Sequence, residues 1–229
     1  EVKYESRALQ AGSSTAHFRV GKGTLGAFVR PNSNPNQVHV LSCNHVLADC
    51  DDGHYWDPIA QPSPNDFSGA GTPPIIARLI DFIPLSTNRV DAAIAVISDS
   101  ADSFVPLFYD GINILKDPVS SIGQRRNVFA IGATSGRMDG QASVVEMDQV
   151  TINYRNGAKS ATFDDRIEII GNSGSVRGPG DSGAVVRDSD TFEPYGLLVG
   201  GGRGNDGVDR SVAHFLPTVF EELGIVLAD

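Results

Sequence analysis

Apolar residues in this chain fall into short runs, many β-branched and alternating with polar positions, and glycine, proline, asparagine and aspartate separate one run from the next. A period of two over a few residues, bounded by turn formers, is the pattern of a half-buried strand. It predicts strands at 17–20, 24–30, 38–42, 75–82 and 92–97 in the first half of the chain. In the second half it predicts 128–132, a long alternating run over 141–154, then 166–170, 184–187, 195–200 and 211–215. The cluster Pro31-Asn32-Ser33-Asn34-Pro35-Asn36 reads as a hairpin loop. Residues 49–74 read as a polar surface excursion, and 98–121, punctuated by Pro106, Gly111 and Pro118, as a crossing between halves. The one helical stretch is 217–223, where Pro217 suits a first turn and Gly224 an end. Residues 1–11 show no strong period and read as an arm or linker, which leaves 12–115 and 116–229 as two β-rich halves. The predicted class is all-β with a short C-terminal helix.

With 229 residues the chain can bury roughly 70% of its unfolded surface in a sizeable core. Its 25 glycines and 13 prolines fit many turns. No 18-residue apolar stretch exists, so no membrane partner is predicted. The net charge of −10 argues against nucleic acid, which is bound through Lys and Arg clusters, and reads as a solvated acidic surface. Cys43 and Cys50 are the only cysteines. So few in a chain of this kind point to a reducing, cytoplasmic setting, with secretion and a Cys43–Cys50 bridge both left open. No basic, apolar, small-residue leader stands at Glu1, although processing removes such a leader.

Three stretches carry candidate chemistry. In Gly178-Pro179-Gly180-Asp181-Ser182-Gly183-Ala184-Val185-Val186, a glycine-rich turn bearing one serine runs into an apolar strand. Glycine adopts positive φ readily, so Gly180 and Gly183 let the turn present the Ser182 hydroxyl and aim backbone N–H groups at one point. That is the arrangement acyl transfer needs, although the motif alone reads more readily as a surface turn. In Val38-His39-Val40-Leu41-Ser42-Cys43-Asn44-His45-Val46-Leu47-Ala48, an alternating strand enters a polar bend and His45 stands where a short helical turn opens. In Asn88-Arg89-Val90-Asp91-Ala92-Ala93-Ile94-Ala95-Val96-Ile97, Asp91 sits at the lip of a run apolar enough to be buried. A carboxylate there needs hydrogen bonds, and a histidine N–H is a fitting donor. The chain order His45, Asp91, Ser182 is that of chymotrypsin-type barrels, whereas subtilisins and α/β-hydrolases use other orders.

The remaining candidates weigh less. Cys43 reads as a small buried thiol rather than a nucleophile. His17 and His39 read as strand residues and His54 as a loop residue, and no pair has metal-ligand spacing, so no metal or cofactor is predicted. His54, Tyr55 and Trp56 read as local packing before substrate contact. Gly200-Gly201-Gly202-Arg203-Gly204 lacks the Lys-Ser/Thr ending of a phosphate loop, and its glycines suit close approach of a substrate backbone.

Together with Gly23-Thr24-Leu25-Gly26-Ala27-Phe28-Val29 and Asp57-Pro58-Ile59-Ala60-Gln61-Pro62, these stretches resemble a bacterial branch of the trypsin-like peptidases related to the plant Narrow leaf protein. The resemblance runs from about residue 12 to the C-terminus. It implies two six-stranded antiparallel β-barrels of chymotrypsin type, the first holding His45 and Asp91 and the second Ser182. It implies a serine endopeptidase acting on protein or peptide: Ser182 attacks, His45 relays the proton, and Asp91 holds the imidazole. The N–H groups of Gly180 and Ser182 would form the oxyanion hole. Val176 and Arg177 would floor the specificity pocket, with walls from Val199, Gly200, Gly201 and the strand carrying His214. Val176 stands where trypsin-like pockets carry an acid, so uncharged or acidic substrate side chains are expected, apolar ones first, with Asp206 and Asp209 keeping a basic preference open. Animal trypsins pair the aspartate equivalent to Asp181 with a freed N-terminal amine. This chain lacks their Ile-Val-Gly-Gly start, so Arg177, Arg203 or Arg210 is expected there instead. Relatives of this branch sit beside other modules, which implies a protease tethered to or regulated by partners. A catalytically silent binding module, or an esterase or acyltransferase using the same triad, are the alternatives.

Overall fold

The computed structural model describes residues 9–98, 104–108, 117–119, 123, 125–171, 178–203 and 206–228. Seven strands of its first half and the last strand of the chain bond edge to edge, antiparallel, into one curled sheet. Their order is Ile225–Leu227, Ala27–Pro31, His39–Ser42, Ala93–Ile97, Ile75–Phe82, Pro58–Ala60, Ser14–His17 and Gly23–Thr24. In the second half, Asn127–Gly132, Gly136–Met147, Arg166–Gly171, Asp209–Phe215, Pro194–Arg203 and Val185–Asp188 close into a six-stranded barrel. The architecture is therefore the all-β, two-unit one that the sequence predicts. The first unit differs in detail, because its edge is completed by the last strand of the chain, with Val226 opposite Arg30.

Two predicted strands are split, each for a local reason. The 24–30 run separates into Gly23–Thr24 and Ala27–Pro31, because the two pieces take different partners: Thr24 lies opposite Ser14 and donates its N–H to the Ser182 carbonyl at 2.9 Å, whereas Ala27 lies opposite Leu41. The 141–154 run breaks at Gln149, which takes a left-handed φ of 57°. There Gln149 donates to Asp164 and Asp165 to Asp148, which ties off a separate hairpin of Val150–Tyr154 and Lys159–Phe163. Leu9–Ala11, within the predicted arm, pairs in parallel with Phe104–Phe108, while most of the 98–121 crossing lies outside the described residues.

The helix Leu216–Leu223 ends at Gly224, which adopts the left-handed conformation. Its buried face of Leu216, Val219, Phe220 and Leu223 joins the core of the first unit, alongside Leu41, Leu79 and Val40. Burying each such side chain contributes roughly 1.5–3 kcal/mol, so the C-terminal segment clamps the second unit onto the first. Among the described residues no helix is long and apolar enough to cross a membrane.

Candidate active site

Strands His39–Ser42 and Ala93–Ile97 are neighbours, with Ser42 opposite Ala93. His45 follows the first on the one-turn helix Asn44–Leu47, and Asp91 lies just before the second, so both emerge at one end of the sheet. His45 Nδ1–H donates to Asp91 Oδ2 at 2.6 Å, and its backbone N–H donates to Oδ1 at 3.1 Å. A third donor is the Tyr154 hydroxyl, 2.8 Å from Oδ2. Asp91 is fully buried. Burial pushes its carboxyl up, but the His45 charge and hydrogen bonds more than offset this and hold it below the usual carboxylate range.

Ser182 stands on the turn entering Val185–Asp188, between Gly180 at φ 104° and Gly183 at φ 95°. A Cβ on Gly183 would lie 2.0 Å from Ser42 Oγ, so only glycine lets the turn seat against the strand leading to His45. Thr134 Oγ1 donates to the Pro179 carbonyl at 2.7 Å, and because a trans peptide is planar, the Gly180 N–H points away from Thr134. The Asp181 carbonyl accepts from Ala184 N at 3.1 Å, which turns the Ser182 N–H the opposite way. Neither N–H meets an acceptor among the described residues. The Ser182 hydroxyl donates to the Val199 carbonyl at 2.8 Å, and among the described residues no hydrogen bond joins it to His45.

Asp181 is buried, and no arginine among the described residues meets it. It accepts from Thr134 N and Ser135 N, each at 3.0 Å, from Ser135 Oγ at 2.6 Å, and from Gly178 N. Four donors satisfy a carboxylate without a cation. Arg210, one of the expected partners, instead chelates Asp206 and reaches Glu168 at 3.3 Å. Arg177 and the Arg203 side chain lie outside the described residues.

His45 and Ser182 open onto a cavity of about 850 Å³, lined also by Val199, Gly200, Gly201, Glu168, Arg210 and Val212. His214 lies elsewhere than the expected pocket wall. It is two positions past Val212 on the same strand, opposite Leu197 where Val212 is opposite Gly200, and this carries it beneath Asp91. There Asp91 N–H donates to its Nε2 at 2.8 Å and Phe163 meets its ring edge-on. Burial pushes His214 well below its ordinary value, so it is a neutral support. Val176 is not described. Tyr55 and Trp56 stack on each other in solvent and do not line the cavity.

Both cysteines are free. Cys43 donates to the Leu198 carbonyl, and burial pushes its thiol far up and that of Cys50 to about 12. Cys43, His45 and Asp91 place ligand atoms within 4.8 Å of one another. His45 Nδ1 is nevertheless engaged by Asp91, and the thiol keeps its proton, so the set fits a metal poorly. The sequence reading missed Tyr154, Thr134 and Ser135. Tyr154 reads only as one more alternating position, and Thr134-Ser135-Gly136 only as a turn.

Burial also holds His17 and His39 below their ordinary values. Unfolded histidine takes up a proton near pH 6.5, so on acidification the unfolded state binds more protons than the folded one. Stability should be full above about pH 6.5 and fall below it, by up to about 1.4 kcal/mol per pH unit for each of His17, His39 and His214. Urea midpoints from neutral pH to pH 5 measure this, and a flat profile would contradict it.

Compared by sequence, the chain matches no family model and no curated protein. Its fold does have solved counterparts. Protease A of Thermobifida fusca superposes with a TM-score of 0.65 at 18% identity, over 97% of this chain and 99% of that one. Nocardiopsis protease gives 0.64 at 15%, over 97% and 100%. A serine protease described as glutamic acid-specific gives 0.66 at 13%, over 96% and 100%. The chain has the chymotrypsin-like serine protease fold. In that fold His45 of the first unit and Ser182 of the second both line the cavity, and Asp91 is bonded to His45 behind it.

Proposed function

We propose that this chymotrypsin-like chain is a serine endopeptidase with Ser182 as nucleophile, His45 as general base and Asp91 as the orienting acid. The observation that carries the reading is the 2.6 Å bond from His45 Nδ1 to Asp91, made beside a serine turn two of whose N–H groups meet no acceptor among the described residues. With Nδ1–H committed to Asp91, Nε2 is the free base. As substrate enters, the Ser182 hydroxyl swings from the Val199 carbonyl onto Nε2, and Oγ attacks the peptide carbonyl carbon while its proton passes to Nε2. The oxyanion meets the N–H groups of Gly180 and Ser182, each such donor being worth about 10²–10³ in kcat. The leaving amine takes the proton from Nε2, and water then repeats the sequence on the acyl-enzyme. Because Asp181 is satisfied by the 134–135 turn, the oxyanion turn needs no freed amine to form. Gly200, Gly201 and Val212, with Glu168 and Arg210 paired at 3.3 Å, favour an uncharged substrate side chain. The motif resemblance to the branch related to the plant Narrow leaf protein points the same way.

A fluorophosphonate probe tests the proposal. A single adduct should form, mapping by mass to the Ser182 peptide, and an unmodified wild-type protein would refute an active enzyme and favour a silent binding module. Turnover of peptides against matched esters separates a peptidase from an esterase or acyltransferase with the same triad.

A further inference from the structure

We propose that Tyr154 is a positioning residue of the triad, and that the hairpin Val150–Tyr154/Lys159–Phe163 is an arm pinned across the two units to deliver it; this rests on the serine-peptidase reading above. The Tyr154 hydroxyl donates at 2.8 Å to Oδ2 of Asp91, the same oxygen that accepts His45 Nδ1–H. With the His45 backbone N–H on Oδ1, three donors hold the carboxylate, and it cannot turn without losing one of them in a buried setting. The phenol acts only as a donor, because burial and the adjacent Asp91 charge keep its proton far above the ordinary tyrosine range. Its ring lies 5.3 Å from that of His45, at an interplanar angle of 42°.

A two-stranded hairpin is marginal by itself. This one is fastened to the loop that follows the His45 helix. Arg155 binds Asp49 at 2.5 Å and Asp52 at 2.6 Å, and Lys159 binds the Cys50 carbonyl at 2.5 Å and Asp52 at 2.7 Å. Beneath the pins, Tyr154, Ala161 and Phe163 of the arm pack with Cys50 and Leu85 of the first unit. Loop, arm and triad acid thus form one cluster drawn from both halves of the chain.

Tyr154→Phe keeps the ring and removes only the hydroxyl. Losing one hydrogen bond to a charged group should lower kcat about 10- to 100-fold. KM should stay within about twofold, since the group acts on the transition state and not on substrate binding. With one donor fewer, the negative charge of the buried carboxylate is less neutralised and acts more strongly on the His45 imidazole, so the acid limb of the kcat/KM profile, set by the base, should move to higher pH. The downfield NMR resonance of the His45 Nδ1 proton should move as well, and that readout needs no turnover. A wild-type kcat, pH profile and resonance in Tyr154→Phe would overturn the positioning role. The double variant Arg155→Met/Lys159→Met tests the arm. It should reproduce part of the loss, as should high salt acting on the wild type, because these pairs are solvent-accessible and screened. A double variant indistinguishable from wild type would overturn the pinning. Failure of the peptidase reading shows separately, as absence of fluorophosphonate labelling in the wild type, and the resonance still decides whether Tyr154 holds Asp91.

Discussion

Ser182→Ala should lower kcat on the order of 10⁶-fold, the scale seen when a triad serine is removed elsewhere. On the proposed mechanism the variant loses the atom that forms the acyl bond, while the N–H groups of Gly180 and of position 182 and the cavity remain. Residual turnover should therefore lie about 10³–10⁴ above the uncatalysed rate. The fold should survive, because among the described residues the hydroxyl makes one hydrogen bond, to the Val199 carbonyl, and Ser182 is only partly buried. Such a bond contributes about 0.5–1.5 kcal/mol. Active-site titration, peptide turnover and a thermal melt on the same sample separate the two effects. Turnover within tenfold of wild type in a folded variant would remove Ser182 from the chemistry.

Asp91→Asn should cost about 10⁴ in kcat, for a reason of tautomer and not of shape. Asp91 receives three hydrogen bonds and its carboxylate donates none, so every neighbour presents a proton to it. An asparagine NH₂ must then face a donor, or press His45 to give up its Nδ1 proton. In the second case Nε2 carries the proton, and the imidazole can no longer accept one from serine. Stability should fall too, by about 1–3 kcal/mol for a buried donor left unmatched. Asp81 supplies the control. It also follows an apolar run, but it is exposed and, among the described residues, accepts only from the backbone N–H of Phe82 at 2.8 Å. Asp81→Asn should behave as wild type in turnover and stability, and loss of activity there, with none at Asp91, would reassign the acid.

What the sequence determined by itself was whatever depends on neighbours along the chain. A period of two marks 75–82 as a strand and an unbroken apolar run marks 92–97, and Ile75–Phe82 and Ala93–Ile97 are where they form, because each pattern is a property of the local chain alone. Pro217 and Gly224 bracket the helix because each sets its own φ. Gly180 and Gly183 announce a turn for the same reason, and the order of His45, Asp91 and Ser182 indicates a barrel fold before any contact is known. What only the tertiary structure decided was which distant groups meet. The pattern says that Asp181 must be satisfied but not by what, and backbone N–H groups at 134 and 135, invisible as chemistry in a sequence, take the place of an arginine. The same limit hides His214 beneath Asp91 and the Tyr154 hydroxyl on Asp91 Oδ2. Alternation tells which face of a strand is buried; what is packed against that face is settled by strand pairing across the whole chain, where Arg166 meets His214 and Val226 meets Arg30.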